Sequence, residues 1–253
     1  MPVDLNDFFS YTKRNYSLTE EDYLAVLPYV QSAEAFARIT NQSIYIVDYY
    51  KQGFLYVSPN PLFLCGKTPA DMLREGYNFY FQNITPKDLE LLLEINTAGF
   101  EFYASVPAED RLKYFISYDV QLIQPNNLLM MINHKLTPIL LDKHSNLWLG
   151  LSVVSRSSAK KSGNIYMSKY GSDEIHHYDL SNKIWRSQSI IKLSTQEKDI
   201  LTLSSQGFKN DQIAERLFLS TATIKFHKNN LFKKIGVKNI SEAIVFATNH
   251  KLI

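Results

Sequence analysis

The stretch from Leu193 to Gly236, LSTQEKDILTLSSQGFKNDQIAERLFLSTATIKFHKNNLFKKIG, constrains this chain more than any other. It predicts three helices in quick succession. Ser194 and Glu197 have the spacing of a capping box: the serine hydroxyl accepts a backbone N–H and the glutamate reaches back to another. Ile200, Leu201 and Leu203 follow as one apolar face. Gly207 tolerates a left-handed backbone and stops that helix. Asn210 is placed to cap a second, short helix with Ile213, Ala214 and Leu217 facing inward. Ser220 caps a third, in which Ile224, Leu231 and Ile235 recur at helical spacing, and Gly236 ends it.

Only Phe218, Leu219 and Ser220 separate the second helix from the third. That is helix-turn-helix spacing, which lets the third helix project into a DNA major groove. Its candidate DNA-contacting residues are Thr221, Thr223, Lys225, Phe226, His227, Lys228, Asn229 and Lys233. Lysines neutralise phosphates, and Lys and Asn also read base edges. Charge agrees with this reading. Residues 193–253 carry nine Lys/Arg against five Asp/Glu, whereas residues 1–192 carry eighteen against twenty. The basic surplus therefore sits on the helical end.

The segment resembles the LuxR-type helix-turn-helix of bacterial transcription regulators. The residues that carry the resemblance are Leu193-Ser194, Glu197, Gly207, Ile213-Ala214, Leu217, Ser220, Thr223-Ile224-Lys225, His227, Lys234-Ile235-Gly236-Val237 and Glu242-Ala243. Ile224 stands where the family usually has valine, and Phe226 and Lys228 occupy variable positions. The resemblance implies that Lys225 and Asn229 face DNA, with Thr223, Lys228 and Lys233 near the phosphate backbone. It also implies a dimer on an inverted repeat, with RNA polymerase as a further candidate partner. A fourth helix is expected after Val237, capped by Asn239, with Ala243, Ile244, Phe246 and Ala247 on its face. In the family this helix contributes to dimerisation.

Upstream, Thr19-Glu20-Glu21-Asp22 reads as a helix start. An apolar pattern runs through Tyr23, Leu24, Leu27, Val30, Ala33, Phe36, Ala37 and Ile39, and Pro28 is expected to kink or split it. The stripe suits packing on the following domain, dimerisation, or both. Residues 4–11 are read as a short helix or a loose segment. Ser43–Asp48 and Phe54–Ser58 read as strands around Gly53, followed by short helices at 60–64 and from Pro69. Pro86 opens a longer helix. Three long strands are expected at 112–123, 128–141 and 147–155. This order resembles the PAS fold, as do Asp48, Gly53, Tyr56-Val57-Ser58, Asn60, Gly66 and the Ile84-Thr85-Pro86-Lys87-Asp88 entry to the long helix.

The expected class is α+β. A helical extension occupies 1–40 and a PAS-like sensory or dimerisation domain, an antiparallel sheet with flanking helices, occupies 41–157. A linker with a candidate hairpin and a further strand at Lys183-Ile184-Trp185 follows at 158–192, aromatic enough to pack on the PAS-like sheet or between the domains, then an all-α four-helix LuxR-type domain at 193–253. Such a chain reads as a DNA-binding transcription regulator under a sensory domain. The rival reading is an adaptor whose two domains bind proteins rather than DNA.

Catalytic motifs are missing: there is no G-x-S-x-G, H-E-x-x-H or P-loop. His176 and His177 are adjacent, so on a strand they point to opposite faces and do not share a metal. The single cysteine, Cys65, suits a reducing compartment and reads as a small buried hydrophobe. Residues 86–100 hold no histidine to ligate haem, and Cys65 lies outside a flavin-reactive run. No cofactor is evident, which leaves an unidentified small molecule as the PAS-like domain's candidate ligand. The aromatics in 44–56, 77–81 and 100–118 serve as core or line a pocket. Met1–Ser10 has no apolar core and no run of about eighteen apolar residues occurs, so a cytoplasmic protein without a membrane partner is expected.

Overall fold

The strand Ser43–Asp48 (β1) is buried at all six positions. Adjacent strand residues point to opposite faces, so this pattern requires cover on both sides. Tyr45 and Val47 enter one core with the helices that follow, whereas Ile44 and Ile46 enter another with the helix that precedes.

A computed structural model describes residues 4–12, 18–189, 191–250 and 252–253. They divide into two compact units, Met1–Ser155 with Ala159–Ser189, and Arg156–Ser158 with Ile190–Ile253. In the first unit Glu20–Leu24 (α1) and Leu27–Ile39 (α2) precede β1. Pro28 lies in the first turn of α2, where its missing N–H removes no helix bond. The break at Ala25–Val26 divides the apolar stripe read from the sequence. Val26, Val30, Ala33 and Ala37 pack on the sheet, while Leu24, Leu27, Phe36 and Ile39 are exposed. The 3-10 helix Leu5–Thr12 is tied down by its aromatics. Phe8 and Phe9 are buried against Tyr77, and Asn96 Nδ2 donates to the Phe8 carbonyl at 2.8 Å.

Gly53–Val57 (β2) returns from β1. Asp48 shapes that hairpin, because its carboxylate accepts the N–H groups of Tyr50 and Lys51 at 2.9 and 3.0 Å. The same carboxylate accepts the Tyr23 hydroxyl at 2.6 Å, which holds α1 to the sheet. Pro61–Leu64 (α3), Pro69–Glu75 (α4), Asn78–Asn83 (α5) and Pro86–Ser105 (α6) follow, three of them opened by a capping Asn or Thr and a Pro at the helix start. Then come Tyr114–Ile123 (β3), Leu129–Leu141 (β4) and Leu147–Arg156 (β5). The strand order β2-β1-β5-β4-β3, with the helices inserted between β2 and β3, is the PAS-like arrangement.

Residues 163–189, read from sequence as part of a linker, extend this sheet by three strands: Gly163–Lys169 (β6), Glu174–Asp179 (β7) and Ile184–Ser189 (β8). β6 pairs with the open edge of β3, and β7 and β8 continue antiparallel. Aromatic side chains drive the docking. Trp185 packs on Phe102 and donates to the Ala98 carbonyl at 3.3 Å, while the Tyr178 hydroxyl donates to Glu94 at 2.8 Å. His176 and His177 lie on opposite faces, one against Phe102 and Ser187, the other against Tyr166.

The second unit contains Thr195–Ser205 (α7), Asn210–Arg216 (α8), Thr221–Ile235 (α9) and Ile240–Asn249 (α10). Ile200, Ile213, Ala214 and Ile224 form one buried cluster. Leu193, Leu201, Leu231, Ile235, Ala243 and Ala247 form the other.

Candidate nucleic-acid interface

The position of α9 follows from its caps and its buried row. Ser220 Oγ accepts the Thr223 N–H at 3.1 Å, and Gly236 closes the helix at φ 71°. Ile224, Leu231 and Ile235 turn one face into the unit. Before it, Phe218 takes a left-handed backbone with φ 55° and leaves its ring 95 % exposed. The turn runs from Leu217 to Ser220, one residue longer than read from sequence, because α8 ends at Arg216.

The structure sorts the eight candidate residues. Thr221, Lys225, Asn229 and Lys233 recur every fourth residue and are exposed, so they form one row along the solvent face. Phe226, 62 % exposed, flanks that row. Among the described residues, Lys225 and Lys233 have no hydrogen bond or ion pair. Thr223 is half-buried and committed to the cap, with its hydroxyl 2.8 Å from Ser220 Oγ. His227, half-buried, shares that flank of the helix.

Lys228 lies toward the core. Its Nζ donates to Asn210 Oδ1 at 2.8 Å, and burial pulls its pKa below the usual lysine value. Asn210 was expected as the cap of α8. It is instead the first helical residue, and Lys209 precedes it with its N–H bound to Gln212 Oε1 at 2.9 Å. The freed Asn210 side chain therefore joins α8 to α9. Lys234 is likewise committed: its Nζ meets Glu197 Oε2 at 2.8 Å, and the same oxygen accepts the Ser194 N–H at 2.7 Å. Burial pushes the Glu197 carboxyl up, but Lys234 and Ser194 outweigh it and hold the pKa below its ordinary value. Helical spacing in the sequence did not reveal which lysines these partners take. Arg216 over Phe208, 4.0 Å from the ring centroid, is a further contact that the sequence pattern did not single out.

The first unit contains polar chemistry of another kind. Tyr45 Oη lies 2.5 Å from His134 Nε2 and 2.7 Å from Tyr80 Oη, and His134 Nδ1 bonds the Tyr118 hydroxyl. All four side chains are buried. Burial drives the His134 pKa down to about 3, so the ring is neutral, one nitrogen donating and the other accepting. Beside this chain a small recess of about 30 Å³, room for little more than a water, lies between α6 and the sheet, lined by Tyr49, Ile95, Gly99, Tyr103, Tyr118 and Leu136 among others. Cys65 is buried, and its thiol is pushed up to about 12, so it is not a thiolate at neutral pH.

Residues 192–247 match the family model described as bacterial regulatory proteins, luxR family. The chain is 43% identical over 61 residues to the Fimbriae Z protein of Salmonella typhimurium, covering 24% of this chain and 29% of that protein. It is 39% identical over 61 residues to the oxygen regulatory protein NreC of Staphylococcus aureus, covering 24% and 28%. The chain thus matches less than a third of the length of these curated relatives. Among solved structures, the Vibrio cholerae VqmA dimer is similar at 14% identity with a TM-score of 0.35, covering 93% of this chain and 89% of that one. Residues 192–247 thus form a domain similar to the luxR-family regulators, and the strand order of the first unit is PAS-like. No helix among the described residues is long and apolar enough to cross a membrane.

Proposed function

We propose that this chain is a transcription regulator in which α9 enters the DNA major groove and the PAS-like unit senses the signal. The observation that carries the reading is the exposed row Thr221, Lys225, Asn229 and Lys233. Beyond this row and the exposed Ala222, Phe226 and Asn230 beside it, α9 is spent on the core, the cap or the Lys228 and Lys234 contacts. A cationic row left open on a helix-turn-helix third helix suits phosphate and base-edge contacts. Lys225 and Asn229 are assigned to base edges and Lys233 to phosphate. Thr221 and Phe226 border the groove, Thr223 and His227 approach the backbone, and Lys228 is a positioning residue that holds α8 against α9. Two copies act together, because an inverted repeat presents two half-sites. An unidentified small molecule is assigned to the PAS-like unit as its signal, with RNA polymerase as the downstream partner.

The test is binding of the full chain to double-stranded fragments that it enriches from its own genome, at several salt concentrations. Substituting Lys225→Ala together with Lys233→Ala is expected to lower affinity at least about ten-fold and to reduce the salt slope by about one unit per lysine. An unchanged affinity and slope would sink the assignment of α9.

A further inference from the structure

In the N-terminal half of α9, the residues that project farthest from the core are neither its lysine nor its asparagine. The buried row Ile224, Leu231 and Ile235 fixes the inward direction. At about 100° per residue, Phe226 stands about 160° round from Ile224 and Ala222 about 160° the other way, so the line opposite the core runs between them. Lys225 and Asn229 lie to one side, at about 100° and 140°, and Asn230 lies to the other, at about 120°. Lys233 reaches the outward line only in the second half of the helix. The outermost part of the first half is therefore apolar and flanked by hydrogen-bond donors. Ala222 is exposed, and Phe226 is 62 % accessible, with the His227 ring edge-on to it at 5.9 Å between centroids. Phe232 of the same helix instead packs on the core of the unit. A single exposed apolar residue is ordinary; a phenylalanine at the outermost point of a groove-facing helix has a specific chemical consequence.

We propose that Phe226 is a specificity-determining residue that reads the C5-methyl group of a thymine in the operator half-site. The proposal rests on the reading of α9 as the major-groove helix and adds to it the base being read. Residues in the N-terminal half of such a helix reach base edges, and Ala222 and Phe226 are the second and sixth residues of α9. The major-groove edges of guanine, cytosine and adenine present polar groups, whereas thymine adds a methyl group. Against the polar edges an apolar ring displaces water from groups that it cannot bond; against thymine it buries the methyl. The ring therefore favours T·A and disfavours G·C at one position. Ala222, one turn earlier near the same line, projects no farther than its own methyl and so lets the helix approach the bases closely. Lys225 and Asn229 beside the ring can bond guanine or adenine on neighbouring pairs. Each half-site is expected to place a thymine next to a purine that one of these side chains bonds.

The deciding experiment uses the full chain and the double-stranded fragments that it enriches from its own genome, with thymines replaced one at a time by deoxyuridine. Each replacement removes one methyl group and keeps the base pairing and every hydrogen-bonding group in the groove. At one thymine per half-site the wild-type chain should lose about four-fold in affinity, the worth of one buried methyl. Phe226→Ala should bind the thymine form more weakly and no longer distinguish it from uracil at that position, while differences at other thymines stay as in the wild type. Its salt slope should match the wild type, because no phosphate contact is removed. The proposal is overturned by an affinity that no single uracil lowers, by a thymine preference that Phe226→Ala retains at every position, or by a salt slope about one unit smaller in that variant. A chain that binds the fragments but ignores uracil fails this proposal and leaves the regulator reading standing. One that enriches no fragment fails both.

Discussion

The two units stabilise their polar groups in opposite ways. The helical unit relies on caps three residues apart, Ser194 with Glu197, Ser220 with Thr223 and Asn239 with Glu242, and on two lysine contacts between helices, Lys228 with Asn210 and Lys234 with Glu197. In the PAS-like unit the polar contacts of the core are buried and distant in sequence, with Tyr45 and His134 89 positions apart. A surface cap costs little when lost, since water replaces it. A buried hydrogen-bond chain leaves its partners stranded when one member is removed. The units therefore differ in how sharply they respond to one substitution or one proton.

The largest effect is expected at the buried chain. Tyr45→Phe removes the hydroxyl that joins His134 to Tyr80, leaving a buried imidazole nitrogen unpaired, and should cost about 2–4 kcal/mol. Both tryptophans, Trp148 and Trp185, lie in the PAS-like unit, so their fluorescence during denaturant unfolding reports that unit alone. A loss under about 1 kcal/mol would show that the chain is no more consequential than a surface cap.

Acid sharpens the same contrast. The folded pKa of His134 lies near 3, against an ordinary value of 6.5. Between those values the unfolded chain binds the extra proton, so stability falls as pH falls, by up to about 1.4 kcal/mol per pH unit. Tryptophan fluorescence should show the PAS-like unit weakening from about pH 6.5 downward, and His134→Gln should flatten that limb. Glu197 behaves differently. Its folded pKa lies below the ordinary 4.5, so its contribution is intact above that value and is lost only as pH falls through the folded one. Amide exchange in residues 195–205 should therefore stay slow at pH 5.5, where the PAS-like unit has already weakened.

Glu197→Ala is the next smaller step. It removes the carboxylate that caps Ser194 and pairs with Lys234, and should destabilise the helical unit by about 1–2 kcal/mol. Faster exchange should begin at Ser194–Lys198 and reach the end of α9, since one oxygen serves both ends.

The same contrast explains what could be read from the sequence. Caps at Ser194 and Ser220, stops at Gly207 and Gly236, and the inward rows of α7–α9 were legible because each is written within one or two helical turns. The strands and Pro86 helix of the PAS-like unit were legible from local pattern for the same reason. The chain through Tyr45, Tyr80, Tyr118 and His134 was not, because pairing β3 with β4 and folding α5 over β1 creates it. The docking of β6–β8 was half legible: partial alternation and aromatics suggested a hairpin packed on the sheet or between the domains, but not the β3 edge that receives it. On α9, spacing found the helix and its exposed row, while the commitment of Lys228 depended on Asn210 in another helix.

That last point gives the smallest and most discriminating effect. Lys225 and Lys228 stand three positions apart on α9, and sequence alone treats them as equals. Lys225 is exposed and, among the described residues, unpaired, whereas the Lys228 amine is half-buried and held by Asn210. To reach phosphate it must break that bond, which at about 1 kcal/mol offsets much of what a surface phosphate contact returns. Lys228→Met keeps the length and apolar stem of the side chain, so its cost to folding should be at most about 1 kcal/mol, and it should leave the salt slope of DNA binding nearly unchanged. Lys225→Met should reduce that slope by about one unit. Equal slopes in the two variants would mean that Lys228 leaves Asn210 on binding DNA, and that the α8–α9 contact is a state of the free helix pair only.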